Sequence, residues 1–310
     1  MATARILRSL VFVPAHDPDL ILRAAGNGMD ALCLDLEDLT LLPDKEEARA
    51  IFPAVAREIA ARDIAVFART NGIAGGMAAA DLDAVLVPEL HCVSIPKVDH
   101  ASDVAAFCEL LDDAERRKGV AVGSTLVRPI IETALGVRNA FDIASASPRI
   151  AYLGGVAGGW WGDLSSSIGY VPSPRGQETA YVRSKVLVDA RAAGVPFPIG
   201  GGSTSSSHLA DVTAFAEDNR QLGYDGVHCA GSAPVVAAVN EVFTPSRNEI
   251  AQWLDLLPAL EQAERDGLSS TRVGDLFVDL AGLAKVREQL ALARRLGLLP
   301  DRAGPYSARA

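Results

Sequence analysis

The amino-acid sequence predicts an α/β protein, a TIM (β/α)8 barrel with a C-terminal helical extension. Short runs rich in Val, Ile, Leu or aromatic residues are each followed by a polar or charged residue and then by a segment with helical periodicity. Eight such units follow one another, which fits a barrel better than an open doubly wound sheet. We therefore expect a barrel domain over residues 1–242 and an extension over residues 243–310.

The predicted strands are the apolar runs of this alternation. Val85–Val87 competes with Cys92–Ile95 for the fourth strand, and we favour Cys92–Ile95 because Asp103–Lys118 then supplies its helix. The eight expected strands are Ser9–Pro14, Ala31–Asp35, Ile64–Arg69, Cys92–Ile95, Leu126–Ile131, Ile150–Leu153, Pro196–Ile199 and Gly226–Ala230.

Helical periodicity follows most of these runs. The expected barrel helices are Asp19–Gly28, Asp44–Ala61, Asp103–Lys118, Gly176–Ala193, Leu209–Leu222 and Ser232–Val242. Beyond them, a helix from Pro245 to about Gly267, a short run at Val273–Val278 and a charged helix at Ala281–Leu296 form the extension. We expect it to pack on the barrel or on a neighbouring subunit.

Composition excludes several classes of protein. The net charge of −10 argues against a nucleic-acid surface, because phosphate contacts need clustered Lys and Arg. The four cysteines lack CxxC spacing, so neither a disulfide framework nor a zinc site is expected. No stretch has the length and apolarity of a membrane span, and the apolar run near the N-terminus is too short for a signal peptide. We expect a cytoplasmic protein that does not bind membranes.

Two carboxylates stand out because each follows a predicted strand. Glu132 ends the fifth run, and Asp163 lies beyond the sixth, after a glycine-rich stretch. Neighbouring parallel strands lie about 4.8 Å apart. Carboxylates at their C-terminal ends are therefore placed to bind one hard cation, which prefers oxygen ligands.

Other polar residues follow the remaining strands, where barrel enzymes build their active sites. The alternative is that charged residues end strands because they face water. His16 is the histidine best placed to meet a site, whereas His228 on an apolar strand is typical of a core histidine. The collected residues are His16, Asp17, Asp35, Glu37, Asp38, Arg69, Asn71, Lys97, Glu132 and Asp163.

Several motifs, in order along nearly the whole chain, resemble the citrate lyase β-subunit group. They include RSLVFVPAHDPDLILRAA, LDLED followed by DKEEAR, ARTNG, SIPKVDHASDV, IIETALGV and GDL. This group belongs to the HpcH/HpaI aldolase family, which also contains malyl-CoA and citramalyl-CoA lyases. The combination of LDLED, DKxxAR and a downstream IETxxGV is specific.

The resemblance implies a Mg²⁺-dependent enzyme that cleaves or forms a C–C bond next to a thioester or keto acid. Glu132 and Asp163 would be the metal ligands, and Glu37 and Asp38 would line the site behind them. Arg69 would contact the substrate carboxylate or the developing enolate oxygen. Gly162 and His16 are further candidates for substrate contact. The resemblance also implies a homo-oligomer, either a trimer or a hexamer.

The sequence departs from the family pattern around the later strands. Trp160 and Trp161 precede the GDL motif, Gly200 stands where an Asp is usual, and Val227–Gly231 replaces a Lys-x-x-His-Pro segment. Because these segments surround the place where a thioester carrier would bind, the use of CoA remains open.

Three hypotheses follow for the function. The first is a Mg²⁺-dependent lyase for a short 3-hydroxyacyl thioester such as citryl-, malyl- or citramalyl-CoA. The second is a CoA-independent aldolase on a free 2-keto acid, and the third is a non-catalytic binding homologue. The presence of Arg69, Glu132 and Asp163 together favours an enzyme.

Overall fold

A computed structural model describes residues 3–154, 162–203 and 208–300. The chain divides into two compact units, and the boundary along the sequence falls between Phe243 and Thr244. Each unit has a hydrophobic core of its own. Within the described ranges, no helix combines the length and apolarity needed to cross a membrane.

The first unit contains a seven-stranded sheet in the order β5-β4-β3-β2-β1-β7-β6, and all of its neighbouring strands are parallel. The first two strands begin and end at the predicted residues, and Cys92–Ile95 is a strand, whereas Val85 ends a helix. The strands are β1 Ser9–Pro14, β2 Ala31–Asp35, β3 Ala65–Arg69, β4 Leu90–Ile95, β5 Leu126–Pro129, β6 Ile199–Gly200 and β7 Gly226–His228.

The predicted sixth strand, Ile150–Leu153, forms isolated bridges in place of a regular ladder. Val127 donates to the carbonyl of Arg149 at 3.0 Å, and Ile131 donates to the carbonyl of Gly154 at 2.8 Å. Pro129 lies between these two donors and has no N–H group, so the ladder is interrupted there. The prediction of a regular strand at this point was therefore wrong.

The same segment is hydrogen-bonded on its other side to the residues that lead into β6. The amide of Phe197 donates to the carbonyl of Ala151 at 3.2 Å, and the amide of Ile199 donates to that of Leu153 at 2.9 Å. The backbone of residues 149–154 therefore bonds both to β5 and to the chain at β6.

Helices follow most of the strands. The first begins at its N-cap Asp17, whose side chain accepts a hydrogen bond from the amide of Leu20 at 2.9 Å. The helices are α1 Pro18–Ala25, α2 Lys45–Ala60, α3 Ala78–Val85, α4 Ala101–Lys118, α5 Ala134–Arg138, α6 Ala140–Ala144, α7 Asp163–Ile168, α8 Ala180–Ala192, α9 Leu209–Leu222 and α10 Ala233–Phe243.

The two faces of the sheet bury different residues, because side chains alternate along a strand. On β2, Leu32 and Leu34 belong to the large core that includes helix residues such as Phe52. Ala31 and Cys33 belong to a smaller cluster on the opposite, inner face. Alternation also places Asp35 on this inner face, where the candidate site lies.

The second unit is a helix pair with a hairpin between the helices. Helix α11, Arg247–Arg265, begins with a capping box in which Ser246 and Glu249 satisfy each other's amides. Strands β8, Ser270–Val273, and β9, Leu276–Asp279, form the antiparallel hairpin, so the apolar run predicted at residues 273–278 contains its turn. Helix α12, Gly282–Arg295, completes the unit.

Candidate active site

A row of polar side chains crosses the inner face of the sheet near its C-terminal edge. The strand register aligns Asp35 with Arg69, Arg69 with Ser94, and Ser94 with Arg128. All four residues are buried. Buried charged residues are rare unless they are paired or functional, so this row identifies the part of the sheet most suited to chemistry.

Arg69 is held in the row by Asp35. Its Nε donates to Asp35 Oδ1 at 2.8 Å, and its Nη2 donates to Asp35 Oδ2. Burial opposes the charge of Arg69, but the hydrogen bonds and charge of Asp35 raise the pKa of its guanidinium above the usual value. The remaining nitrogen, Nη1, lies 3.0 Å from Glu37 Oε2 and is directed toward the carboxylates above the row.

Lys97 connects the carboxylates that the sequence singled out. Its Nζ lies 2.7 Å from Glu37 Oε1, 3.2 Å from Asp38 Oδ1 and 3.4 Å from Asp163 Oδ2. Its backbone amide donates to Glu132 Oε1 at 3.3 Å. We call Glu37, Asp38, Glu132 and Asp163 the carboxylate cluster.

The members of the carboxylate cluster differ in their electrostatic environments. Burial raises the pKa of Glu132 to about 7, although the charge of Arg69 lowers it. Burial also raises the pKa of Glu37. Burial acts in the same direction on Asp38, but the hydrogen bond from Lys97 and the charge of Arg69 outweigh it and lower the pKa of that half-exposed side chain. A positive charge in the cluster therefore favours the ionised form of Glu132 and Glu37.

The donors of this cluster suit a hard divalent cation. All four are carboxylates, the ligand type that Mg²⁺ prefers, and Mg²⁺ needs only one or two of them because water and substrate fill its other positions. Glu37 Oε2 is buried without a hydrogen-bond partner among the described residues, although Arg69 is close. Within those residues, however, no group of three or more side chains is already arranged as a ligand set.

His16 and Gly162 are the further candidates for substrate contact. Among the described residues, no hydrogen bond or ion pair joins His16 to the cluster, and its buried Nδ1 has no hydrogen-bond partner. Gly162 caps α7 through its amide, which donates to Ser165 Oγ at 2.9 Å. Trp160, Trp161 and residues 204–207 lie outside the described residues.

Comparison with known proteins identifies the family. Residues 8–232 match the model of the HpcH/HpaI aldolase/citrate lyase family. The chain belongs to this family. The family expected from the sequence is confirmed, and so is the expected enzyme class, a carbon–carbon lyase.

The similarity extends along almost the whole chain. The chain is 29% identical over 309 residues to the citrate lyase subunit beta of Leuconostoc mesenteroides subsp. cremoris, and the match covers 99% of both chains. It is 32% identical over 299 residues to a citrate lyase subunit beta-like protein of Deinococcus radiodurans, covering 94% of this chain and 98% of that protein.

A solved structure shares the fold. It is the protein CitE from Mycobacterium tuberculosis in complex with magnesium, acetoacetate and coenzyme A. The TM-score is 0.69 at 24% identity, covering 94% of this chain and 98% of that one.

The buried Arg128 and the half-buried His228 were not predicted to act together. Arg128 donates from Nη1 to Ser94 Oγ at 3.3 Å, and its Nη2 contacts Nε2 of His228. Burial lowers the pKa of Arg128 to about 10, and among the described residues it forms no ion pair with a carboxylate. The sequence carried a signal for this residue, since a charged side chain within the apolar run Leu126–Ile131 is unusual.

Proposed function

We propose that this chain is a Mg²⁺-dependent lyase that cleaves or forms a short 3-hydroxyacyl thioester through an enolate. The observation that carries the proposal is that one residue, Lys97, contacts both expected metal ligands: its backbone amide donates to Glu132, and its ammonium group lies beside Asp163. The magnesium and coenzyme A bound to the related CitE protein support the same assignment.

Glu132 and Asp163 are the residues that would hold the metal, with Glu37 and Asp38 behind them. A bound Mg²⁺ supplies Lewis acidity, which stabilises negative charge on a carbonyl oxygen as the C–C bond breaks. Because Glu132 is partly buried, its interactions with nearby charges are stronger than they would be in bulk water.

Arg69 is the residue we assign to the substrate. Its planar guanidinium matches a carboxylate or an enolate oxygen. Because Asp35 fixes the orientation of the guanidinium through two hydrogen bonds, little reorganisation is needed when the substrate binds. Asp35 is therefore a positioning residue in this proposal.

We also propose a closed barrel as the framework of the site. The segment of residues 149–154 bonds to β5 and to the chain at β6, so it would complete the sheet as its eighth member. In this proposal, residues 1–242 form the catalytic domain, and residues 243–310 pack on the barrel or on a neighbouring subunit of a trimer or hexamer. A cytoplasmic location remains part of the proposal.

A second candidate is an aldolase that acts on a free 2-keto acid without CoA. It is favoured by the uncharged segments at Gly200–Ser203 and Val227–Gly231, where the family pattern has an Asp and a Lys. Neither segment contains Arg69 or a member of the carboxylate cluster.

A substrate assay tests the proposal. The purified protein with Mg²⁺ is offered malyl-, citramalyl- and citryl-CoA and the corresponding free hydroxy acids, and keto-acid release is followed with and without EDTA. Release from thioesters alone supports the lyase, and release from free acids alone supports the aldolase. The metal-dependent mechanism would be overturned if EDTA left keto-acid release by the wild type unchanged. It would also be overturned if Glu132→Gln released keto acid as fast as the wild type.

A further inference from the structure

A cavity of about 320 Å³ lies among β1, β7, α9 and α10. Its walls include Phe12 and Val227 from the strands, Phe215 from α9 and Val239 from α10. Protein interiors rarely leave voids larger than a water molecule, and pockets for small ligands begin at about 300 Å³. The cavity is therefore large enough to hold a small organic group.

The cavity adjoins the candidate active site through Phe12. The ring of Phe12 lines the cavity, and its centre lies 5.3 Å from the guanidinium carbon of Arg69. The same ring lies 5.0 Å from the ring of His228, which also lines the cavity. A substrate whose carboxylate contacts Arg69 would thus have the cavity alongside it.

The described lining residues include no Asp, Glu, Lys or Arg. Burial raises the pKa of the Cys229 thiol to about 12. Burial and the charge of Arg128 lower the pKa of His228 well below its usual value. Both side chains are therefore uncharged near neutral pH, and the described lining of the cavity is uncharged and mostly apolar.

Two separate segments of the sequence meet at this cavity. Gly202 and Ser203 follow β6, and His228 to Ala230 end and follow β7. The second segment lies within Val227–Gly231, which departs from the family pattern, and the first begins two residues after Gly200, another departure. The cavity therefore lies close to both departures, and its described lining is uncharged.

We propose that this cavity is a specificity pocket for an alkyl or aryl substituent on the carbon chain of the substrate. The enzyme then prefers a branched or aromatic 2-keto acid to an unsubstituted one. This inference rests on the proposed function, because it takes Arg69 as the group that holds the substrate carboxylate. Each methylene group that becomes buried improves affinity about fourfold.

Calorimetric titration in the presence of Mg²⁺ tests the pocket with pyruvate, 3-methyl-2-oxobutanoate and phenylpyruvate. We expect the wild type to bind one of the two larger acids at least tenfold more tightly than pyruvate. Ala230→Phe adds bulk at the cavity wall, so the ratio of affinities should fall toward one. Ala50→Phe, on the exposed face of α2, is the matched control and should keep the wild-type ratio.

The outcomes separate this inference from the proposed function. If pyruvate binds and the larger acids bind no more tightly, the pocket is overturned and the lyase proposal stays intact. The same conclusion follows if the ratio of affinities is equal in the wild type and in Ala230→Phe. Failure of every keto acid to bind in the presence of Mg²⁺ overturns both. Benzene provides a readout independent of catalysis: it should raise the melting temperature of the wild type but not of Ala230→Phe, and no rise in the wild type would count against the pocket.

Discussion

The ammonium group of Lys97 lies 3.4 Å from the carboxylate of Asp163. The backbone of Lys97 has a φ of 51°, in the left-handed region that non-glycine residues seldom adopt. Such a conformation costs on the order of 1–3 kcal/mol and persists where the surrounding structure imposes it. Here it allows one residue to contact Asp163 through its side chain and Glu132 through its amide. We infer that the ammonium occupies the position that a metal ion competes for.

Replacing Lys97 with methionine should strengthen Mg²⁺ binding about tenfold. The variant removes a positive charge from among the carboxylates, and a unit charge about 4 Å away is worth roughly 1–4 kcal/mol near a protein surface. Isothermal titration calorimetry measures the change. Lys185→Met, which removes an ammonium paired with Asp189, is the control and should bind Mg²⁺ as the wild type does. Unchanged or weaker binding by Lys97→Met would contradict the inferred competition.

Glu132→Gln and Asp163→Asn should each lose most of the Mg²⁺ affinity while the fold is kept. The amide oxygen is a weaker ligand than a carboxylate, and Mg²⁺ relies on few protein ligands. Because burial disfavours the ionised form of Glu132, Glu132→Gln should melt at or above the wild-type temperature. Calorimetric titration and differential scanning calorimetry give the two readouts, with Asp83→Asn at an exposed position as the control. Full metal affinity in either variant would refute the assignment.

Arg69→Lys should lower kcat/KM by about 100-fold. Lysine keeps the charge but lacks the planar fork that pairs with Asp35 and with a substrate carboxylate. Steady-state kinetics measure the activity, and thermal denaturation measures any loss from the weakened pair with buried Asp35. Arg116→Lys, at an exposed arginine, is the matched control. Wild-type kinetics accompanied by a lower melting temperature would restrict Arg69 to a structural role.

Below pH 4.5, acid should reduce stability through Glu115. The carboxylate is buried but accepts hydrogen bonds from the amides of Gly123 and Thr125 and from Arg149, which lower its pKa to about 2. The unfolded chain therefore binds a proton at higher pH than the folded protein, and the stabilisation is lost between about pH 4.5 and pH 2.

The corresponding variant is Glu115→Gln. It should be less stable than the wild type at pH 7 by about 3 kcal/mol, because Arg149 loses its buried partner, and the difference should narrow as the pH falls toward 3. Urea denaturation at several pH values gives the free energies of unfolding. Glu46→Gln, at an exposed pair, should follow the wild type. A difference that stays constant with pH would contradict this account.

Much of the sheet was predictable because buried parallel strands leave continuous apolar runs in the sequence. The fourth strand was correctly assigned to Cys92–Ile95 and not to Val85–Val87, whose first residue ends α3. The sixth strand was not regular, because Pro129 in the adjacent strand removes a donor from the ladder. Helix α3 was not predicted, and only its last residue, Val85, belonged to a run that was weighed as a strand.

The carboxylate cluster was predictable in outline, since its members follow strands or match family motifs. Its connection through Lys97, and the pairing of Arg128 with His228, were not predicted. These contacts depend on how strands distant in the chain are aligned across the sheet. Alternation of apolar residues shows which side of a strand is buried, but it leaves that alignment undetermined.

The position of Arg128 leaves no room for a side chain at Gly154. A methyl group there would lie 2.6 Å from Arg128 Nη2, 2.9 Å from its Nε and 3.0 Å from the carbonyl oxygen of Ile199. The two positions are thus sterically coupled. We expect lineages that retain the arginine to keep glycine as its counterpart, whereas exchange of the arginine for a smaller residue would leave only the carbonyl oxygen of Ile199 to oppose a side chain at position 154.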